Sequence, residues 1–308
     1  MGAVRIATFG VAAVALLAVT ACSPADITPP QAAPTAQPAP DAPALGQPAP
    51  RRPQHPSREQ AATATVEPVA ASTPRRLARQ LERAERTIRD PDATRAQTAR
   101  AGHVQQVAYR AWGNRPAWDA RVLRNLPRRL WPVARHNVRA HRELASMSSG
   151  RPPQTLPRWR IVTPAPRREL MRYYRKAQER FGVRWEYLAA IHLVETRMGR
   201  IDGVSSAGAR GPMQFIPATW KLYGRGDIED NHDAIMAAGR YLRARGAPRD
   251  MDRALYSYNN DVRYVRAVRH YADVMKRNPR AYRGYHGWQV YYRQPGGAVW
   301  LPEGWDGR

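Results

Sequence analysis

The spacing of apolar residues changes character along the chain. Residues 2–21 carry a single charge, Arg5, and then an unbroken apolar run. That run stops short of the roughly 20 residues a membrane-spanning helix needs, which predicts a signal for export over 1–21. From 23 to 74 the pattern vanishes into alanine and proline, with no aromatic residue between Phe9 and Tyr109. Too little apolar surface is available there to offset the entropy of ordering, so 22–74 is predicted to be a disordered tether. Fully extended it would reach on the order of 150 Å.

A helical period then sets in. Thr73 and Pro74 suit an N-cap and a first helical position, and Leu77, Leu81, Ala84 and Ile88 share a face before Asp90-Pro91 stops the run. Further helices are expected over Thr94–Trp112, Trp118–Leu126 and on to Met147, giving an N-terminal helical region over 75–149. Residues 150–166 read as a linker or an extended crossing segment. Beyond it, helices are predicted over Arg167–Phe181, Arg184–Thr196, Ala218–Leu222, Asp233–Arg245, Asp252–Tyr258 and Val262–Lys276, each bounded by Gly, Pro, Asn or Asp. Asn231 and Asp261 are expected as N-caps and Gly246 as a C-cap. The last stretch, 281–308, alternates apolar and polar residues around "QPGG", the mark of a short hairpin. The chain is therefore predicted to be mostly α, with a catalytic domain over 150–280 and a C-terminal extension.

The segment 184–196 stands out because it is apolar on nearly every side, as a helix enclosed by others must be. Its exceptions, Arg184, His192 and Glu195, lie within about 80° of one another, a stripe expected to line a cleft. Glu195 falls in the last helical turn. Burial and the negative end of the helix dipole both penalise its charge, which predicts a carboxyl that holds its proton near neutral pH. Taken alone, the helix leaves open a plain helix-end glutamate paired with an arginine.

Composition changes the picture in two places. The net charge of +25 invites a nucleic-acid reading, yet all the cationic residues except Lys176, Lys221 and Lys276 are arginine. With abundant Ala and Pro, that looks like codon bias, and an exported protein meets anionic lipid and wall polymers before nucleic acid. No nucleic-acid partner is expected. The only cysteine, Cys22, closes "VTAC", which resembles the lipobox of bacterial lipoproteins. The resemblance implies lipidation of Cys22 and a chain anchored to the outer face of the cytoplasmic membrane. A soluble secreted protein with a stray cysteine is the alternative. One cysteine excludes a disulfide framework and any multi-cysteine metal site.

After Glu195 come "SSAGARGPMQFIPATW" and, some forty residues on, "ALYSYNND". Gly208 and Gly211 allow close backbone approach, Gln214 offers donor and acceptors, and an amide and a phenol beside one acid suit a sugar bearing N-acetyl groups. In this order and spacing, "VETRMGR", "SAGARGPMQFIPATW" and "YSYNND" resemble the lytic transglycosylases, goose-lysozyme-like enzymes that cleave peptidoglycan. The resemblance covers roughly 165–277. It implies a lysozyme-like fold, Glu195 as acid and base, Ser205 before the Gly-Ala-x-Gly turn, Met213 and Gln214 lining the glycan groove, and Tyr258 and Asn259 contacting the acid and the sugar. Gly-Pro-Met-Gln stands where Gly-Leu-Met-Gln is common. Ser257 and Asp261 flank Tyr258-Asn259 in place of a small residue and glycine.

Peptidoglycan glycan strands are the implied partner and a monomer the expected state. Asp227, Glu229, Asp230 and Asp233 are too crowded for a twelve-residue calcium loop, and His103, His136 and His141 lack a ligand spacing, so neither metal nor other cofactor is expected. Two-carboxylate glycosidases need a second acid. Only Asp202 is at hand, which keeps a hydrolytic muramidase open beside the one-acid transglycosylase. A non-catalytic wall-binding lipoprotein is the reading from another class.

Overall fold

The computed structural model describes residues 66–307 apart from Ser149. The signal over 1–21, Cys22 and the tether as far as residue 65 lie outside the described residues. Among those described, no helix is long and apolar enough to cross a membrane.

The chain is mostly helical. Helix α1 (Pro74–Arg89) begins as read, with Thr73 accepting from Arg76 N and Leu77, Leu81, Ala84 and Ile88 buried on one face. The expected tether ends early, because Gln80 grips the backbone before α1 through Ala71 N (2.9 Å) and Val69 O (2.8 Å). Helix α2 (Arg95–Gly113) carries a capping box, Thr94 with Gln97, and buries Trp112. A 3₁₀ turn leads to α3 (Asp119–Asn125), and α4 (Trp131–Met147) follows.

Residues 150–166 run extended. Strand β1 (Arg160–Ile161) pairs antiparallel with β2 (Ile201–Asp202), Arg160 opposite Asp202. Helix α5 (Arg167–Phe181) stops at Gly182, whose φ of 72° is the left-handed turn that glycine adopts at low cost. Helix α6 (Trp185–Thr196) buries every side chain but that of Tyr187. Leu188, Ile191, Leu193 and Val194 are wholly enclosed, and truncating one of them to Ala costs about 2–5 kcal/mol. Helices α7 (Pro217–Tyr223), α8 (Asn231–Ala244), α9 (Met251–Tyr258), α10 (Val262–Arg277) and α11 (Ala281–Tyr285) complete the set. Asp261 caps α10 as expected, but the cap of α8 is Asp230, whose side chain accepts from Asp233 N. Asn231 already lies inside the helix; a carboxylate one position earlier is the better acceptor for the free N–H groups. Gly246, φ 117°, follows the C-cap Arg245.

Strands β3 (Val290–Gln294) and β4 (Gly297–Leu301) form the hairpin, turning at Pro295-Gly296. It is docked onto the helices from the start of the chain. Gln106 and Gln289 exchange two hydrogen bonds, Trp288 Nε1 donates to Gln105 (3.0 Å), and His103 Nε2 meets the Tyr291 hydroxyl at 2.8 Å. Where α2 crosses α11, Gly102 faces Gly284 so closely that a methyl group on Gly102 would sit 2.2 Å from the Gly284 carbonyl oxygen. One apolar core runs from Leu77 to Trp288 through α4, α6 and α10, without a seam near residue 149. A smaller cluster of Trp159, Ile161, Ile201, Val290, Tyr292 and Leu301 joins β1 and β2 to the hairpin.

Candidate active site

Three consecutive residues in left-handed backbone end α6: Arg197 (φ 56°), Met198 (64°) and Gly199 (80°). For Arg197 and Met198 that conformation costs on the order of 1–3 kcal/mol each, a strain typical of positions held for a purpose. Its effect is to stop the helix one residue after Glu195, leaving that carboxyl in the final turn against the helix's negative end.

Glu195 is 1% exposed. Its Oε1 accepts from the Tyr264 hydroxyl at 2.7 Å. Burial raises the carboxyl to about 8, against the opposing pull of the Tyr264 hydrogen bond and of the Arg197 charge. The group is thus protonated at neutral pH and has one oxygen fixed, so its proton is positioned for donation.

A loop, Gly211–Phe215, is clamped beside it. Thr196 Oγ1 donates to Pro212 O (2.6 Å) and the Tyr258 hydroxyl to Met213 O (2.6 Å). The rings of Tyr258 and Tyr264 lie parallel, centroids 6.5 Å apart. Gly211 needs its φ of 71° and its lack of side chain, since a methyl there would meet Ile228 O at 1.9 Å. Gln214, φ 50°, turns its amide to Gly211 O at 2.9 Å.

Residues 172–278 match the transglycosylase SLT domain. The match spans about a third of the chain. It supports a lytic-transglycosylase-type catalytic domain of lysozyme-like fold, directed at peptidoglycan. No curated protein and no solved structure matched.

Within the SLT domain, hydrogen bonds and ring stacking link Glu195, Tyr264, Tyr258 and Met213 in one chain. Met213 is fully buried, so it offers this site its carbonyl while its side chain joins the core. Asn259 is fully buried too, and neither atom of its amide has a hydrogen-bond partner. Ser205 organises its own turn, accepting from Ala209 N (2.9 Å) and Ala207 N (3.3 Å), and lines a cavity of about 620 Å³ with Trp159 and Asp202.

One expectation is corrected. The polar stripe on α6 does not converge: Arg184 pairs with Glu186 (2.6 Å) at the first turn of the helix, and the buried His192 takes Tyr174 as partner (2.8 Å). Burial pushes His192 down to about 3, so it is neutral and no proton donor. The phenol that bonds Glu195 is Tyr264, while the hydroxyl of Tyr258 donates to Met213 O and its ring stacks on that of Tyr264. Sequence reading missed Tyr264 although it sits on the inward stripe of α10 with Val268 and Tyr271; a phenol on the buried face of a helix needs a polar partner, and that was the available signal.

Asp202 forms an ion pair with Arg160 across the β1–β2 pair. Two groups could hold a metal ion among the described residues, His136–His270–Asp273 and Asp230–His232–Asp233. The charges of Arg139 and Arg277 oppose a cation at the first. In the second, Asp230 caps α8 and Asp233 Oδ2 accepts from Asp227 N, so the acids serve the loop.

Proposed function

We propose that this chain is a lytic transglycosylase that cleaves the β-1,4 bond between N-acetylmuramic acid and N-acetylglucosamine, leaving 1,6-anhydro ends, in cell-wall remodelling. Glu195 carries the reading: a buried acid in the last turn of α6, raised to about 8 and held at one oxygen by Tyr264. Protonated Glu195 gives its proton to the bridging oxygen as the glycosidic bond breaks. The substrate's 2-acetamido oxygen stabilises the cationic anomeric centre. Glu195, now an anion favoured by Tyr264 and Arg197, takes the proton from the muramyl 6-hydroxyl as that oxygen closes on the anomeric carbon. No water is consumed, and one carboxyl serves both steps.

The pairing of Asp202 with Arg160 supports this over the two-acid hydrolase, because the carboxylate that would have to activate water is already engaged by a guanidinium. The unpartnered Asn259 amide supports recognition of an N-acetyl group once substrate opens the site. The same reading has the chain exported and anchored through Cys22 at the outer face of the cytoplasmic membrane. Cys22→Ser should move it from the membrane to the soluble fraction. Mass spectrometry of products from purified sacculi tests the chemistry. Anhydro ends, lighter by one water than hydrolysis products, are expected; reducing ends alone would overturn the proposal.

A further inference from the structure

Behind the catalytic helix lies a cavity of about 400 Å³ that the SLT domain alone does not form: of its lining residues only Val194, Arg197 and Tyr271 fall within 172–278. The rest come from α2, α4, Trp288 and the hairpin. Its size is that of a small-molecule site.

Its charge is one-sided. Arg110, Arg197 and Arg293 reach it from three different elements, and no acidic residue lines it. Among the described residues none of the three forms an ion pair, although the charge of Glu67 is felt at Arg110 and that of Glu195 at Arg197. Arg110 lies over the Tyr291 ring at 4.4 Å. Arg197 donates to the carbonyls of Leu193 (2.5 Å) and Val194 (3.2 Å), and its Nε is buried with no partner. Arg293 donates to the carbonyls of Ser148 (2.8 Å) and Gly150 (3.0 Å). Most ion pairs among the described residues bring arginine against an acid, so three guanidiniums around one space with no acid in its lining are a departure. Carbonyls and an aromatic face hold the side chains in place, and no carboxylate bonds them directly.

We propose that this cavity binds the carboxylate of a small organic acid or short peptide, gripped by Arg110, Arg197 and Arg293. Planar guanidiniums match a carboxylate, and Trp288, Leu144 and Val194 provide apolar wall for the carbon attached to it. Burial lowers both Arg110, to about 10, and Arg197; the Arg197 charge lowers Arg110 further, while Tyr271 raises both, Tyr291 and Glu67 raise Arg110, and Glu195 raises Arg197. A bound anion would relieve that cost. If the wall-cleaving reading holds, the peptide stems of peptidoglycan are one source of such carboxylates and free organic acids are the other; the choice of source rests on that reading, while the site itself does not.

Isothermal titration of the full chain separates these. The dipeptide L-alanyl-D-glutamate and glutarate are the acidic probes, and glutaramide, the neutral diamide of glutarate, is the uncharged control. Saturable binding of an acid, with the amide weaker by about tenfold or more, is expected from the worth of charge-assisted hydrogen bonds. Arg293→Gln and Arg110→Gln should each weaken the acid by about tenfold, and Arg110→Lys should recover part of the loss. The titration reads binding without any glycan being cut, so the site can stand even if cleavage of glycan fails. A dipeptide preferred over glutarate assigns the wall peptide, and equal affinity assigns free acids. The proposal falls if neither acid saturates, if acid and amide bind alike, or if folded Arg110→Gln and Arg293→Gln proteins bind unchanged.

Discussion

Two glutamates of this chain are equally buried, each 1% exposed, and their surroundings could hardly differ more. Glu85, on α1, has partners at both oxygens: Arg89 at one, and Gln105 Nε2 (2.9 Å) with the Tyr109 hydroxyl (2.6 Å) at the other. Glu195 has one phenol and an arginine too far to bond it. Burial therefore does not make an acid catalyst; what matters is how much of the lost hydration is replaced. Glu85 is a structural knot tying α1 to α2. Glu195 is left short of partners and keeps its proton.

The sharpest break of that contrast is Glu195→Gln. It should lower muropeptide release about a thousandfold or more, near 4 kcal/mol of barrier, while circular dichroism shows an intact fold. Glu85→Ala should do the reverse, leaving the chemistry in place but costing about 2–3 kcal/mol of stability in urea unfolding, since Tyr109, Gln105 and Arg89 lose their acceptor.

Next in size is the pH response of Glu195 itself. Its folded value, about 8, lies above the ordinary 4.5. The folded state then holds a proton that the unfolded chain releases, so this contribution to stability is full below about 4.5 and is lost as pH rises toward 8. Melting curves should show that decline in the parent and a flatter profile in Glu195→Gln. The rate should fall above about pH 8 as the donor ionises.

Tyr264→Phe removes the hydrogen bond that favours the anion, so the alkaline limb should move to higher pH, with turnover down about tenfold. The smallest effect is expected of Asp202→Asn, which should leave the rate within about twofold; a large loss would restore the two-acid hydrolase.

Much of this was legible beforehand because it follows from short-range chemistry. Thr73, Pro74 and Asp261 announce helix starts, "QPGG" the hairpin, and a run apolar on all sides the enclosed α6. What escaped reading depends on contacts distant in sequence. Tyr264 reaches Glu195 across 69 positions, and Gln289 reaches Gln106 across 183. The stripe on α6 misled because angular proximity on a wheel says nothing of the neighbour each side chain finds, and Tyr174 claimed His192. The arginine-lined cavity was out of reach for the same reason, as its walls come from both ends of the described chain.

The docking of the hairpin onto α2 also fixes an order of events. Chains are synthesised from the N-terminus, so α1 and α2 emerge with His103, Gln105 and Gln106 facing partners not yet made. Only when residues 288–291 arrive can those polar groups be sealed and the helices around Glu195 be braced. The geometry thereby acts as a timer, leaving the first two helices unsealed until the hairpin some 180 positions later has been made.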